Sequence, residues 1–378
     1  MAKELPEDLV TEILVWLPVV SLLRFKCVCK SWYALITHQN FIRKHLLHNN
    51  NNSSALLLLQ TSEDYVVSTF SYETLQVPLT QPVPPLYFEM RFGMDEFYVV
   101  GSCNGLVCLH ANYGLYVVIW NPATKETKVV ANSSLLRFPA YYRIDGIGFG
   151  FDAKTNDYKI LNILSLYDDP DSIRNEKIVQ TEVYSLSADS WRKGDSPPCF
   201  ICSSLRGMDT YINGVASWEA SVDDWKGILS FDMSDEVFLK TQLPGDVLND
   251  SGRHFFVLNE SIAMTVTICS EDDMYIIESS EVCFDIWLLL EVGVNDSWTR
   301  LFTIGPITGI TRLLGSWKND SIFFEKYYRQ LVLYDPSTKE ITDLKVGDGH
   351  IVSWQIITYT ETLVSVKRGR EVEEQDNC

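Results

Sequence analysis

Apolar residues recur at helical spacing at the beginning of the chain. Leu9, Ile13 and Leu17 return at intervals of four residues until Pro18, and the segment starts with Pro6 followed by two acidic residues. Proline at the first helical position and acidic residues in the first turn are typical of helix starts. The pattern therefore predicts one amphipathic helix that ends at Pro18.

A second helix is predicted to begin at Ser21, which can cap it, and to run through Ile36. Its apolar residues form a wide stripe of Leu22, Phe25, Val28, Cys29, Trp32, Leu35 and Ile36. A third helix is predicted from Gln39 to Leu47. We predict that residues 1–48 form a small helical domain and that the polar run 49–54, which has no periodicity, is a linker.

A helical segment of this length cannot bury so much apolar surface by itself. Two explanations are open at this point: the helices pack on the rest of the chain, or they dock onto a second protein. Each fully buried Leu or Ile contributes about 1.5–3 kcal/mol, so four or five such side chains are enough to hold a stable complex.

The periodicity changes after residue 54. Short runs rich in Val, Ile, Leu, Tyr and Phe alternate with clusters of Gly, Asn, Asp and Pro, which is typical of strands and turns. Asn104-Gly105 and Asn213-Gly214 are dipeptides that favour hairpin turns. The pattern predicts an all-β domain over residues 55–366.

One strand–turn–strand unit is repeated along this domain. Residues 119–130 (IWNPATKETKVV) and 333–344 (LYDPSTKEITDL) are two clear copies, and residues 183–191, 229–237 and 288–298 are degenerate ones. The turns of the five copies are marked by Pro122, Ala188, Ser234, Asn295 and Ser337. Their mean spacing of about 54 residues is typical of propeller blades, so we predict a mainly β fold: a kelch-like β-propeller of about six blades, with irregularities.

The charge balance limits the partners of this chain. Thirty-one basic and 50 acidic side chains give a formal net charge of -19, and that surface would repel a phosphate backbone. We therefore expect no nucleic-acid partner. No apolar run reaches the ~18 residues of a membrane span, and the first residues do not resemble a secretory signal. The sequence predicts no membrane partner and a cytoplasmic location, with the nucleus as the alternative.

Acidic residues are clustered within the β-domain. The clusters that we regard as candidate substrate-binding loops contain Asp168, Asp169 and Asp171, then Asp223 and Asp224, then Glu271, Asp272 and Asp273. Simple solubility explains each cluster as well as function does. Together they are expected to attract a basic protein partner and to speed its encounter. Residues 367–378 are predicted to be a disordered tail.

The sequence offers little evidence of catalysis. Cys199 and Cys202 have the spacing of half a zinc site, but no second pair or histidine pair completes it. The glycines of residues 146–150 do not have the dinucleotide-binding spacing, and crowding between strands explains them better. None of the six histidines lies in a motif that pairs it with a nucleophile. We predict no catalytic residue, no metal and no cofactor.

Residues 5–14 (LPEDLVTEIL), 17–18 (LP) and 21–32 (SLLRFKCVCKSW) resemble an F-box. In that family the helices dock on a Skp-type adaptor, which joins them to a cullin and a ubiquitin-conjugating enzyme. The resemblance places at the docking positions Leu5, Pro6, Leu9, Ile13, Leu17, Pro18, Leu22, Val28, Cys29 and Trp32.

The β-domain is similar to the F-box-associated domain of plant F-box proteins. The similarity is carried by residues 101–109 (GSCNGLVCL), 120–126 (WNPATKE), 146–152 (GIGFGFD), 155–160 (TNDYKI) and 183–186 (VYSL). Within that family the chain resembles the S-locus F-box and S-locus F-box-like group, which implies an S-locus ribonuclease as target and a role in self-incompatibility in pollen.

The resemblance implies a non-catalytic receptor subunit of a Skp–cullin–F-box ubiquitin ligase, which recruits a protein target for ubiquitination. Two alternatives are open. The first keeps the ligase role with an unrelated plant target, and the second is a propeller enzyme with an incidental helical appendage.

Overall fold

A computed structural model describes most of the chain. The described residues are 5–52, 55–61, 66–70, 80–82, 97–111, 116–131, 133, 141–167, 178–201, 210–247, 252–268, 281–344 and 353–367. The chain divides into two compact units. The first contains residues 1–59, 65–132 and 357–378, and the second contains residues 60–64 and 133–356.

Four helices precede the first strand. They are α1 (Glu7–Val15), α2 (Val19–Phe25), α3 (Lys30–Thr37) and α4 (Gln39–Asn52). Helix α1 follows Pro6, as the sequence predicts, and Pro18 rather than Ser21 stands at the N-cap of α2.

The single second helix predicted from the apolar stripe is wrong, because a turn after Phe25 and the extended backbone of Cys29 divide it into α2 and α3. Apolar spacing alone could not reveal this break, since both helices contribute to the same buried side. Helix α4 continues to Asn52 and so enters the run 49–54 that we predicted as a linker.

The remaining structure is β-sheet, as predicted. The first strands are β1 (Ala55–Thr61), β2 (Val66–Phe70) and β3 (Thr80–Pro82). The first blade consists of β4 (Phe97–Cys103), β5 (Leu106–Ala111), β6 (Tyr116–Asn121) and β7 (Glu126–Ala131), and the second of β8 (Tyr141–Asp152), β9 (Asp157–Tyr167), β10 (Ile178–Ser185) and β11 (Ser190–Gly194). The third blade consists of β12 (Phe200–Ile201), β13 (Thr210–Ile212), β14 (Val215–Val222), β15 (Trp225–Asp232) and β16 (Phe238–Gln242).

The fourth and fifth blades follow the same antiparallel order. They consist of β17 (Arg253–Leu258), β18 (Ser261–Ile268), β19 (Glu281–Leu289) and β20 (Trp298–Thr308), and of β21 (Ile310–Ser316), β22 (Ile322–Lys326), β23 (Leu331–Asp335) and β24 (Glu340–Asp343). The last strand, β25 (Ser353–Tyr359), pairs with β1 in a sheet of order β25-β1-β2-β3. One-turn 3₁₀ helices lie at Gly245–Val247, Lys318–Asp320 and Tyr327–Arg329.

A β-propeller is therefore confirmed, but the predicted number of six blades needs correction. Five blades are built from consecutive strands, and the remaining sheet combines β25 with β1–β3 from the other end of the domain. The five repeats of the sequence match the five consecutive blades. In each blade, the repeat is the hairpin of the last two strands. The prediction of six came from dividing the length of the domain by the repeat period. That division cannot tell a blade of consecutive strands from the sheet that joins the two ends of the domain.

Local hydrogen bonds explain why these turns recur. The side-chain oxygen of the first turn residue accepts backbone N–H groups two and three residues later: Asn121 Oδ1 from Ala123 (3.0 Å) and Thr124 (3.1 Å), and Asp232 Oδ1 from Ser234 (2.7 Å) and Asp235 (2.8 Å). Four positions after the first residue, four copies have a residue with positive φ: Lys125, Asp189, Glu236 and Lys339. The turn of the fourth blade is longer, and its positive-φ residue Asp296 lies two positions before β20. The repeated sequence therefore encodes a turn geometry.

Consecutive blades of the second unit pack face to face. Leu161 and Val183 of the second blade share a core with Trp218 of the third, and Phe284 of the fourth blade packs with Phe324 of the fifth at a ring distance of 5.4 Å. The indole Nε1 of Trp218 donates to the carbonyl oxygen of Ile147 at 3.1 Å. The apolar strand faces thus lie between sheets, where no water reaches them.

The glycines of residues 146–150 have the structural role that the sequence suggests. Strand β8 approaches the third blade so closely that a Cβ atom on Gly148 would lie 2.9 Å from the Trp218 ring. A Cβ atom on Gly150 would lie 2.2 Å from the ring of Tyr211, whose hydroxyl accepts the N–H of Phe151 at 2.9 Å. Glycine is required here because the sheets approach one another closely.

We expect Gly150→Val to destabilise the protein by about 1–3 kcal/mol, because the added side chain must displace Tyr211 from a packed interface. Chemical denaturation followed by tryptophan fluorescence measures this change. Gly245→Ala is the matched control, since nothing lies within 4 Å of a Cβ at Gly245. Equal denaturation midpoints for the two variants would contradict the role assigned to Gly150.

A buried ion cluster joins the second and third blades. The Lys159 ammonium group donates to Asp152 Oδ2 and Glu236 Oε1, both at 2.7 Å, and to the carbonyl oxygen of Met233 at 2.9 Å. Arg192 contacts the same carboxylate of Glu236. Lys159 and Asp152 are buried, so their charges are stabilised mainly by each other and by these neighbours.

Candidate functional site

The helical segment has a core of its own. Its buried side chains are Leu14, Val15, Val19, Leu22, Ile36 and Phe41, and Leu363 from the end of the chain joins them. Ala123 of the first repeat turn packs against the same cluster. Part of the apolar surface that the sequence left unexplained is therefore covered by the chain itself.

A second face of the same helices remains exposed. On α1 and just before it, Leu5, Leu9 and Ile13 have exposed fractions of 61%, 52% and 55%. Further exposed large side chains in this segment are Trp16, Val20, Val28, Tyr33 and Leu47. We call Leu5, Leu9, Ile13 and Val28 the exposed ridge. Side chains of this size, concentrated on a short segment, are typical of protein interaction surfaces.

The residues predicted to dock on an adaptor divide into three groups. Leu5, Pro6, Leu9, Ile13, Pro18, Val28 and Cys29 are exposed, and Leu17 and Trp32 are half-buried. Leu22 is the exception, because it is fully buried in the helical core and has no surface to offer a partner. Sequence analysis could not distinguish Leu22 from Ile13, because both are apolar residues at helical spacing, but Leu22 belongs to the core of the helices.

Polar contacts fix the arrangement of the helices. His45 Nε2 donates to the carbonyl oxygen of Leu17 at 2.9 Å, and burial lowers the pKa of His45, so the ring is neutral at pH 7. An ion pair between Lys44 and Glu12 joins α4 to α1. A hydrogen bond with the Ser31 hydroxyl lowers the pKa of the exposed Cys29 thiol at the start of α3.

The end of the chain fastens the helices to the first blade within the first unit. Asn121 Nδ2 donates to the carbonyl oxygens of Thr362 (3.1 Å) and Val364 (2.7 Å). Glu126 Oε2 accepts the N–H of Val366 at 3.0 Å. These bonds position Leu363, which enters the helical core. The repeat turn of the first blade therefore also holds the end of the chain against the helices. Its local sequence does not show this second role.

Only the second acidic cluster lies in a described turn, between β14 and β15 of the third blade. Successive hairpins of an antiparallel sheet turn at opposite edges, so this turn lies at the edge opposite to the repeat turn of the same blade. We call this edge of the third blade the acidic rim.

Only one of the three clusters can be described directly. Asp223 and Asp224 are exposed in the turn between β14 and β15, and Asp223 has a positive φ of 51°. The clusters at Asp168, Asp169 and Asp171 and at Glu271, Asp272 and Asp273 lie outside the described residues.

Metal-ligating side chains do not cluster in the described parts of the chain. No group of three or more His, Cys, Asp or Glu side chains there could hold a metal ion. Burial lowers the pKa of both His110 and His254 to about 4. Cys199 is buried, and Cys202 lies outside the described residues. No described helix is long and apolar enough to cross a membrane.

Comparison with known families agrees with this architecture. Residues 3–44 match the F-box domain, and residues 58–366 match the F-box associated beta propeller domain. Because the second match covers most of the chain, the protein belongs to the family of F-box proteins with an F-box-associated β-propeller domain.

Curated relatives come from Arabidopsis thaliana. An F-box/kelch-repeat protein is 31% identical over 344 residues, which cover 88% of each chain. A putative F-box protein is 26% identical and covers 97% of this chain and 96% of its own. The F-box protein CPR1 is 24% identical, with 91% and 85% covered. Among solved structures, a DUF4784 family protein from Bacteroides caccae covers 80% of this chain and 73% of its own at 13% identity, with a TM-score of 0.40.

Proposed function

We propose that this protein is the substrate-receptor subunit of a Skp–cullin–F-box ubiquitin ligase. The F-box helices bind a Skp-type adaptor and, through it, a cullin, while the propeller holds a protein target. The subunit itself catalyses no reaction. It raises the effective concentration of the target's lysines at the conjugating enzyme.

The exposed ridge carries this proposal. The helices already have a core, to which Leu363 and Ala123 of the same chain contribute, and yet Leu5, Leu9, Ile13 and Val28 remain exposed. Burial of each of these side chains in a complex would contribute about 1.5–3 kcal/mol. The family match over residues 3–44 supports the same partner.

The target that the charge supports best is a basic protein. Asp223 and Asp224 are exposed on the acidic rim, and the formal net charge of the whole chain is -19. A surface of this sign speeds the encounter with a basic partner. The names of the relatives above do not refer to the S-locus, so they give no support to the S-locus ribonuclease expected from the narrower resemblance. The unrelated plant target stands beside it.

The propeller-enzyme alternative has weak support. His110 and His254 are the described histidines of the propeller, and burial keeps both neutral at pH 7. The described residues contain no metal-ligand group. The exposed ridge and the F-box match favour the receptor role over this alternative.

Affinity purification of the tagged full-length chain from plant tissue, pollen included, tests the proposal. We expect the adaptor and the cullin to be recovered together with a basic protein. Washing with increasing salt should release the basic protein first, because salt screens exposed charges and leaves apolar contacts intact. The adaptor is thus an internal control for the target.

Three outcomes are informative. Failure to recover the adaptor would overturn the receptor function. Recovery of adaptor and cullin with a target that resists high salt would refute the charge argument alone. A target other than a ribonuclease would favour the ligase with an unrelated plant target.

A further inference from the structure

A short segment near the end of the chain contacts the F-box helices on one side and the first blade on the other. We call residues 361–366 the C-terminal strap. On the side of the helices, Leu363 lies in the helical core with an exposed fraction of 3%. Asn49 Nδ2 of α4 donates to the carbonyl oxygen of Glu361 at 3.3 Å. The strap therefore follows the helices through a buried side chain and a hydrogen bond.

The first blade holds the strap on both sides of Leu363. Asn121 Nδ2 donates to the carbonyl oxygens of residues 362 and 364, which flank Leu363 in the sequence. Glu126 Oε2 accepts the N–H of Val366 at 3.0 Å and the hydroxyl of Ser365 at 2.7 Å. Because the same six residues are bonded to the blade and packed into the helices, they connect the two parts directly.

The residue that begins the repeat turn differs between the first blade and two later ones. Asn121 stands in the first blade, where the third has Asp232 and the fifth has Asp335. In all three turns the Oδ1 atom accepts the backbone N–H groups two and three residues later. A carboxylate is therefore sufficient for the turn itself. Only an amide also supplies the two N–H donors that the strap requires, since an ionised carboxylate has none.

We propose that Asn121 is a positioning residue for ubiquitin transfer. Through the strap it fixes the orientation of the F-box helices on the first blade. This inference rests on the proposed receptor function, in which the helices bind the ligase and the propeller holds the target. The transfer rate depends on how often a lysine reaches the conjugating enzyme, so a loose connection lowers the effective concentration of that lysine.

The strap should affect the transfer rate without affecting the affinity for the adaptor. Leu363 packs in the helical core and does not belong to the exposed ridge, which is the proposed docking surface. A variant that loosens the strap therefore leaves the docking side chains in place. A role in folding alone would instead change adaptor binding and transfer together.

The variant Asn121→Asp tests this role, because it retains the oxygen of the turn and removes the two donors to the strap. The full-length chain is assembled with adaptor, cullin and conjugating enzyme, and its own lysines serve as the substrate. Mass spectrometry identifies the lysine that the natural chain modifies fastest. We expect the rate at that lysine, measured with saturating adaptor complex, to fall about three- to tenfold in the variant. The adaptor affinity, measured by calorimetry, should not change.

A second variant and a control complete the experiment. Leu363→Ala loosens the strap on the side of the helices and leaves its hydrogen bonds to the first blade, so the same fall in rate is expected. The control Asp335→Asn makes the reverse exchange in the equivalent turn of the fifth blade, where Oδ1 remains as the acceptor. Its transfer rate and adaptor affinity should equal those of the natural chain.

Four outcomes separate this inference from the receptor function. The inference is overturned if either strap variant modifies the same lysine at the natural rate, if Asp335→Asn slows transfer equally, or if the strap variants lose adaptor affinity in proportion to the rate. A natural chain that does not bind the adaptor, or receives no ubiquitin in the assembled complex, would refute the receptor function itself.

Discussion

Replacing Leu9 and Ile13 together by Asp should abolish binding of a Skp-type adaptor. Both side chains are more than half exposed on the ridge, so the unbound protein tolerates the change. In a complex the two carboxylates would be buried without partners, and the apolar contribution of about 1.5–3 kcal/mol from each residue would be lost. We expect a loss of affinity of more than about 100-fold.

Co-purification and calorimetric titration with the adaptor measure this effect. The control is Leu290→Asp, because Leu290 is a propeller residue with a comparable exposed fraction of 65%. It should bind the adaptor normally. Both variants should unfold at the temperature of the natural protein. Unchanged adaptor affinity in the double variant would show that the ridge is not the docking surface.

Lys159→Met should destabilise the propeller by about 3–5 kcal/mol, the usual cost of removing one partner from a buried ion pair. The variant leaves Asp152 buried without its cation, while Glu236 retains Arg192. Lys154→Met is the control. Lys154 forms an ion pair with Asp235 in which both side chains are more than half exposed, and its loss should leave the denaturation midpoint unchanged.

The pH dependence gives this prediction a second measurement. Burial alone would raise the pKa of Asp152, but hydrogen bonds from Lys159 and Thr155 outweigh burial and hold that pKa below its usual range. Hydrogen bonds from Arg192 and Lys159 likewise outweigh burial and lower the pKa of Glu236. The stability that these carboxylates contribute is therefore present above their unfolded pKa values of about 4 and is lost as the pH falls through the lower folded values.

The difference in stability between the natural protein and Lys159→Met should consequently shrink as the pH falls below about 4, because the carboxylates become protonated. At alkaline pH the stability that Lys159 contributes is lost as the pH rises. Burial alone would lower the pKa of Lys159, but hydrogen bonds to Asp152 and Glu236 raise it, so its contribution persists until the pH passes that raised value. A difference in stability that stays constant down to pH 2 would contradict the ion-cluster account.

Several parts of this protein follow from the sequence alone because their causes are local. A turn such as that at Asn121 or Asp232 forms through hydrogen bonds to residues two and three positions later, so its sequence predicts its geometry wherever it occurs. Helical and strand periodicity likewise depend on neighbouring residues. The F-box helices, the β-domain and the five repeats were predictable for this reason.

The candidate site was predictable only in part. Leu22 and Ile13 have similar apolar side chains at helical spacing, but Leu22 is buried and Ile13 is exposed. The difference depends on which helix face meets the core: Leu14 and Val15 are the buried residues of α1 that do so, and the adjacent Ile13 faces away. Residues far apart in the chain, such as Phe41 and Leu363, complete the core.

Tertiary structure alone decided the remaining features, because each depends on groups that are distant in sequence. The pairing of β25 with β1 makes a sheet from both ends of the domain, which no repeat period indicates. Lys159 acquires Glu236 as a partner from the neighbouring blade, and Leu363 enters the core of the helices from the other end of the chain. Amino-acid sequence determined the repeating local units, whereas the contacts between these units determined which side chains remain available to a partner.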